Sequence, residues 1–299
     1  MLDRESTFAV PETVRLLQSK FIPVALDQAY QRRQKDTEGD FYRKIASQGP
    51  RNNFNGTTQG FYIADAAGRL LLYNNNRDPQ KLLRLIKKSL TDFGENPPQG
   101  ILPIEPEKLD PRWNVSPPEG GLVLRVRAKI LDGYKETKNE FQNIFQCAVS
   151  RDNLWVTKEE HEKIGQGEFP AKLAQRIARF HLVDNTRGEP PMWDSTDIRE
   201  LKIEITDKGE IRGEVNLLNR KADRGYEAKL QGKFEVKNGK VVAMELVCLG
   251  DFFGEGRYTK GAPEGKFPLA ITFKLADGTD IADRVPPQGS RGWLNGYLQ

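Results

Sequence analysis

Two thiols and two imidazoles carry most of the reactive chemistry in this chain, and neither pair is arranged to use it. Cys147 and Cys248 are the only cysteines. A thiol becomes a nucleophile or redox centre when it is accessible and a nearby cation or helix N-terminus lowers its pKa. Both sit in apolar, strand-like runs, "NIFQCAVS" and "MELVCLG", which predict buried side chains behaving as small hydrophobes. Two buried free thiols or one long-range disulfide fit that pattern. No Cys-x-x-Cys occurs, and two cysteines with two histidines do not make a zinc site. His161, in "EEHEKIG", lacks the second histidine of the His-Glu-x-x-His pattern and reads as a solvated surface residue. His181, in "ARFHLVDN", falls at a predicted helix end, where an imidazolium suits the C-terminal dipole.

Two other groups of residues could form sites. No Gly-x-Ser-x-Gly, Walker loop or dinucleotide fingerprint occurs, so no cofactor and no metal is expected. "GDFFGEGRYTKGAPEG", residues 250–265, combines five glycines with aromatic and charged side chains. Glycines admit close backbone approach. Asp251, Phe252, Phe253, Glu255, Arg257 and Tyr258 are therefore the candidate contacts for a protein partner or small ligand. A long connection packed on a sheet would have the same composition. Arg125, Arg127 and Lys129 alternate along one strand and could meet phosphate or an acidic partner, but such a row is also the solvated side of a half-buried strand.

Composition narrows the class. Hydrophobic residues make up 37% and charged residues 29%, as in a soluble globular protein, and 299 residues are enough for two domains. Net charge is +4 with both signs well mixed, which gives no nucleic-acid footprint. The apolar runs are too short to span a bilayer. No secretory leader is visible before Ser6, which fits a cytoplasmic protein or an extracytoplasmic one whose leader has been removed.

The elements that would position these residues come in two groups. Pro11 starts a helix through Lys20, with Val14, Leu16, Leu17 and Phe21 on its apolar side. "FIPVALD" reads as a buried strand and "QAYQRRQKDTEGDFYRKIAS" as a surface helical or irregular excursion. "GFYIAD" and "RLLLYN" form a hairpin turning at Gly68. Asp78 and Pro79 open a helix with Leu82, Leu83, Leu85, Ile86 and Leu90 as its stripe. Seven prolines between Pro97 and Pro118 mark an extended linker, laid down by Ile101, Ile104 and Trp113.

Beyond it, "LVLRVRAKIL" and "EFQNIFQCAV" read as strands. Thr157 with Glu160 forms a capping box, and Pro170 opens a helix through His181. Hairpins are predicted at Asp207–Gly209, Asn238–Gly239 and Asp277–Gly278. Trp113, Trp155, Trp193 and Trp293 read as packing anchors.

The first part resembles the thioredoxin-like superfamily over about residues 1–92. "MLDRESTFAVPETVRLLQSKFIPVALD" is similar to the tail that follows the family's Cys-x-x-Cys pair, and "GFYIADAAGRLLLYNNNRDPQKLLRLIKKSL" to its closing hairpin and helix. The cysteine pair would fall before residue 1, and Thr57-Thr58-Gln59-Gly60 stands where the family has its cis-proline. No family site residue therefore carries over. In the complete fold, the strand leading into the pair lies between the "FIPVALD" and "GFYIAD" strands, so the resemblance implies that both lack a partner here.

The resulting expectation is an α+β protein. A partial thioredoxin-like α/β domain (1–95) and a proline-rich linker (96–120) precede a β-rich domain (121–299), an antiparallel sheet or barrel with two inserted helices. The function expected is non-catalytic, a redox-inactive module joined to a partner- or ligand-binding domain. The alternative is a thiol–disulfide oxidoreductase whose Cys-x-x-Cys lies upstream of the chain, and a third class is a small-ligand carrier centred on the β-domain.

Overall fold

Aspartates and prolines set the helix starts of the first unit. The chain divides into Ser6–Val115 and Ser116–Gln299, and a computed structural model describes residues 7–76, 78–97, 109–206 and 208–299. The first unit runs α1 (Pro11–Lys20), α2 (Gln28–Gln31), α3 (Thr37–Ser47), β1 (Phe61–Ala64), β2 (Leu70–Asn74) and α4 (Pro79–Glu95). Pro11 and Pro79 occupy first-turn positions, where a missing N–H costs nothing. Asp27, Asp36 and Asp78 accept from the backbone N–H groups of Ala29, Gly39 and Lys81, which would otherwise lack partners. Ile63 and Leu72 of the hairpin pack with Leu82 and Ile86 of α4, and Leu16, Leu17 and Phe21 close over them. The predicted hairpin and α4 are present in this form.

Two expectations for this unit change. "FIPVALD" is extended at its ends, Phe21 and Asp27, but joins no ladder among the described residues, where β1 and β2 form a two-stranded sheet. A strand is held by its partner, and Pro23 cannot donate to one. Ile22, Val24 and Leu26 consequently remain 91%, 75% and 43% exposed. The excursion after it folds into α2 and α3 and buries Tyr30, Tyr42 and Ala46. Residues 98–108 of the linker, including Ile101 and Ile104, lie outside the described residues. Trp113 meets Tyr30 edge-on, with the guanidinium groups of Arg33 and Arg112 5.3 and 5.1 Å from its ring centre.

The second unit contains β3 (Leu122–Ile130), α5 (Glu140–Cys147), β4 (Asp152–Val156), α6 (Lys158–Gly165) and α7 (Ala171–Arg176), which continues as a π-helical turn over Ile177–His181. Then come β5 (Ile198–Ile205), β6 (Glu210–Leu218), β7 (Gly225–Lys237), β8 (Lys240–Phe253), β9 (Lys266–Leu275) and α8 (Leu294–Leu298). The strands form a curled antiparallel sheet, a half-barrel in the order β4-β3-β9-β8-β7-β6-β5, so the protein is α+β. Period-two alternation sorts the two faces. Ala128, Ile271, Cys248 and Leu230 line up across four strands as a buried row, while Arg127, Thr272, Val247 and Gln231 form the neighbouring outward row. Asn238 and Gly239 both have positive φ, the geometry of the predicted type I′ turn between β7 and β8. The capping box at Thr157 and the helix after Pro170 are also present.

Three readings of this unit are corrected. "EFQNIFQC" is the helix α5, because Phe141, Ile144 and Phe145 recur at helical rather than strand spacing. The strand is instead "DNLWV", completely buried although it starts with two polar residues. Asp277–Gly278 does not turn into a strand. Asp277 accepts from Thr279 and Arg125, and Asp280 caps a 3₁₀ turn over Ile281–Arg284. Asp207 lies outside the described residues. Trp155 and Trp193 are buried anchors, whereas Trp293 is 69% exposed.

Candidate functional site

The candidate residues of 250–265 separate into a strand and a loop. Asp251, Phe252 and Phe253 end β8 rather than belonging to a loop. Alternation turns Asp251 outward and Phe252 inward. Phe252 is 2% exposed and packs against Trp193, Tyr226 and Phe267, with ring centres 6.2, 5.6 and 5.6 Å away. It is core, and no partner reaches it. Phe253 is half-buried.

The loop that follows is tied down by its own polar groups. Glu255 accepts from Lys260 Nζ at 2.6 Å and from the backbone of Gly261 at 3.0 Å. The bond from Lys260 holds its carboxyl below the usual carboxylate range. Thr259 Oγ1 accepts from Gly256 N at 2.7 Å, and Thr259 O accepts from Arg187 Nε at 3.1 Å. A Cβ on Gly188 would lie 2.1 Å from Tyr258 O, so only glycine permits this approach. On this fixed backbone Tyr258 stays 61% exposed, with the guanidinium of Arg257 5.3 Å from its ring centre. In the neighbouring segment Arg291 pairs with Glu189 at 3.3 Å and donates to Pro190 O at 2.6 Å.

Beneath the loop, His181–Arg187 is buried throughout. A buried connection must satisfy its polar groups internally. Arg187 pairs with Asp184 and donates to Tyr134 Oη at 3.0 Å. Arg224 lies 3.8 Å from the Trp193 ring centre and donates to the carbonyls of Pro191 and Met192, and burial pulls its pKa down to about 10. Asp184, Pro190, Pro191, Arg224 and Glu255 border a crevice too narrow to admit a water molecule. Small-molecule sites are typically about 300–1,000 Å³. The crevice therefore does not provide a carrier's cavity.

The remaining reactive groups are held in structural roles. Cys147 and Cys248 are both free. Cys248 is buried in the sheet core, where burial pushes its thiol up to about 12, whereas Cys147 is exposed at the end of α5, contrary to expectation. His161 is not simply solvated. Its Nε2 accepts from Val241 N at 3.1 Å, which leaves the proton on Nδ1 to donate to Gly120 O at 2.9 Å. His181 Nε2 meets Tyr297 Oη at 2.6 Å and its Nδ1 lies 3.2 Å from Asp152 Oδ2, an Asp–His–Tyr series with every member buried. On the basic strand, Arg125 binds Asp283 and Asp277, and Lys129 donates to Gln146 O.

Among the described residues no group of three acidic, histidine or cysteine side chains could hold a metal ion, and no helix is long and apolar enough to cross a membrane. Comparison of the chain with known protein families, with curated proteins and with solved structures finds no match.

Proposed function

We propose that this chain is a non-catalytic two-unit protein whose second unit binds a partner protein through the surface around Tyr258 and Arg257. The observation that carries this reading is an exposed aromatic–guanidinium pair on a loop whose backbone is locked from both sides. Tyrosine, tryptophan and arginine dominate the energetics of protein contacts, and a rigid loop loses little entropy on binding. Glu255 serves the surface by holding the loop's shape. Replacing Tyr258 with a photo-crosslinking phenylalanine analogue in the source cells should give one discrete adduct. Arg257→Glu in the same chain should abolish that adduct. An equal pattern from the analogue at exposed Val242, outside this surface, would remove the reading.

The first unit is read as a redox-inactive thioredoxin-like module. Its order of helix, apolar segment, hairpin and helix supports this. Thiol–disulfide exchange needs an attacking thiolate and a resolving thiol, and Cys248 is a buried thiol with a raised pKa. The chain should therefore show only background turnover in an insulin-reduction assay. Turnover well above background that is lost in Cys147→Ser or Cys248→Ser would overturn the redox-inactive reading.

A further inference from the structure

Arg32, which closes α2, is a buried cation whose side chain donates through Nη1 alone among the described residues. The residue is 9% exposed. Nη1 donates to Gln28 Oε1 at 2.6 Å, and that same oxygen accepts from Thr58 N and Thr58 Oγ1, each at 3.1 Å. Thr58 Oγ1 is in turn 2.6 Å from Tyr42 Oη. The backbone is fixed as well, because Arg43 donates to the carbonyls of Arg32 and Gln34. The guanidinium plane is thus pinned along one edge.

The opposite edge, Nε with Nη2, makes no hydrogen bond among the described residues. Nε is buried without a hydrogen bond, and among the described residues no carboxylate forms an ion pair with Arg32. Asp27 contributes from a distance, with its Oδ1 engaged by Ala29 N. Arginine does not escape an unfavourable site by losing its proton, so a buried guanidinium with no carboxylate in contact calls for an anion from outside. Arg125 shows what this edge does when filled, with Nε donating to Asp283 Oδ1 at 2.8 Å and Nη2 to Oδ2 at 2.7 Å. Two parallel N–H groups match two oxygens on one carbon or phosphorus atom.

We propose that the Nε/Nη2 edge of Arg32, oriented by Gln28 and Thr58, is a receptor for a carboxylate or phosphate group. The site lies in the first unit and stands independently of the partner surface in the second.

The test is a titration of the ¹⁵N-labelled full chain, following arginine Nε–Hε resonances as sodium phosphate or sodium acetate is added against sodium chloride of equal ionic strength. The Arg32 signal, identified by its loss in Arg32→Lys, should shift saturably with phosphate or acetate and not with chloride. Whichever anion binds tighter identifies the ligand's chemistry. Gln28→Leu should weaken binding at least tenfold. A shift that chloride reproduces, or none with either anion, would overturn the proposal. If Arg32→Lys does not fold, melting of the wild type and Arg32→Met decides the matter. Arg32→Met should melt no lower than wild type in chloride, and phosphate or acetate should raise only the wild-type midpoint. Equal responses would again overturn it.

Discussion

Phe252 and Tyr258 belong to one short stretch of sequence, yet a substitution acts on different properties at each. Phe252 touches three aromatic rings in a closed core. Phe252→Ala should cost about 3–5 kcal/mol, because the site cannot collapse around the cavity. Tyr258→Ala should stay within about 0.5 kcal/mol of wild type, since the exposed ring contributes little to the fold. Urea denaturation of the two variants checks both figures, and a comparable loss at Tyr258 would show that its ring is structural. Cys248 supports a second prediction. Its thiol is pushed up to about 12 in the folded chain, whereas an unfolded thiol titrates near 9. The folded state therefore keeps the proton that the unfolded state loses. The corresponding stability is complete below about pH 9 and declines as pH rises towards 12, by up to about 1.4 kcal/mol per unit. Cys248→Ala should remove that part of the alkaline slope. Identical slopes between pH 9 and 10 in wild type and variant would refute the assignment.

Among the elements, those written in local chemistry were legible and those that depend on distant partners were not. The aspartate and threonine caps, the prolines at helix starts and the Asn238–Gly239 turn each satisfy backbone groups within a few residues, so sequence suffices to place them. Of the candidate site, the loop's composition was legible, but its division between core and surface was not. Phe252 turns inward only because β8 continues through it, and glycine-rich sequence gives no sign of that. "DNLWV" was missed because Asp152 and Asn153 look like turn residues. Their burial depends on Gln288, Ala282 and Val285, which lie far along the chain. "FIPVALD" has strand composition without a ladder, and this leads to a prediction. An apolar run showing Ile22 and Val24 to solvent is a template for edge pairing between chains. Ile22→Lys with Val24→Lys should leave the melting temperature within about 2 °C, given a surface effect of about 0.5 kcal/mol. The same pair should lower light scattering in concentrated solution. A large fall in melting temperature would mean that the segment is packed rather than exposed.

On the scale of the molecule, the second unit is closed by its own C-terminal residues through a buried charge. Arg176 of α7 gathers partners from three separate elements. Nη1 and Nη2 grip both oxygens of Glu160 on α6 at 2.7 and 2.9 Å, and Nη1 also reaches Trp155 O of β4 at 3.3 Å. Nε and Nη2 donate to the carbonyls of Tyr297 and Leu298 in α8, at 2.8 and 2.6 Å. His181 adds a bond to the Tyr297 hydroxyl, whose pKa burial holds well above its ordinary value. Both charges of the pair are almost entirely out of water. Such a pair contributes little net stability against an apolar replacement, but breaking it strands one ion in the interior. Arg176→Ala should therefore cost about 3–5 kcal/mol, mostly as the penalty on Glu160. Glu160→Gln keeps the acceptor that serves the Thr157 cap, so its loss should be smaller. Combining Glu160→Gln with Arg176→Met removes both charges and refills much of the volume, and the double variant should recover at least about 2 kcal/mol relative to the sum of the single losses. A double-mutant cycle by urea denaturation measures this coupling directly. Strictly additive losses would mean that Arg176 acts through the C-terminal carbonyls alone, with Glu160 as a bystander.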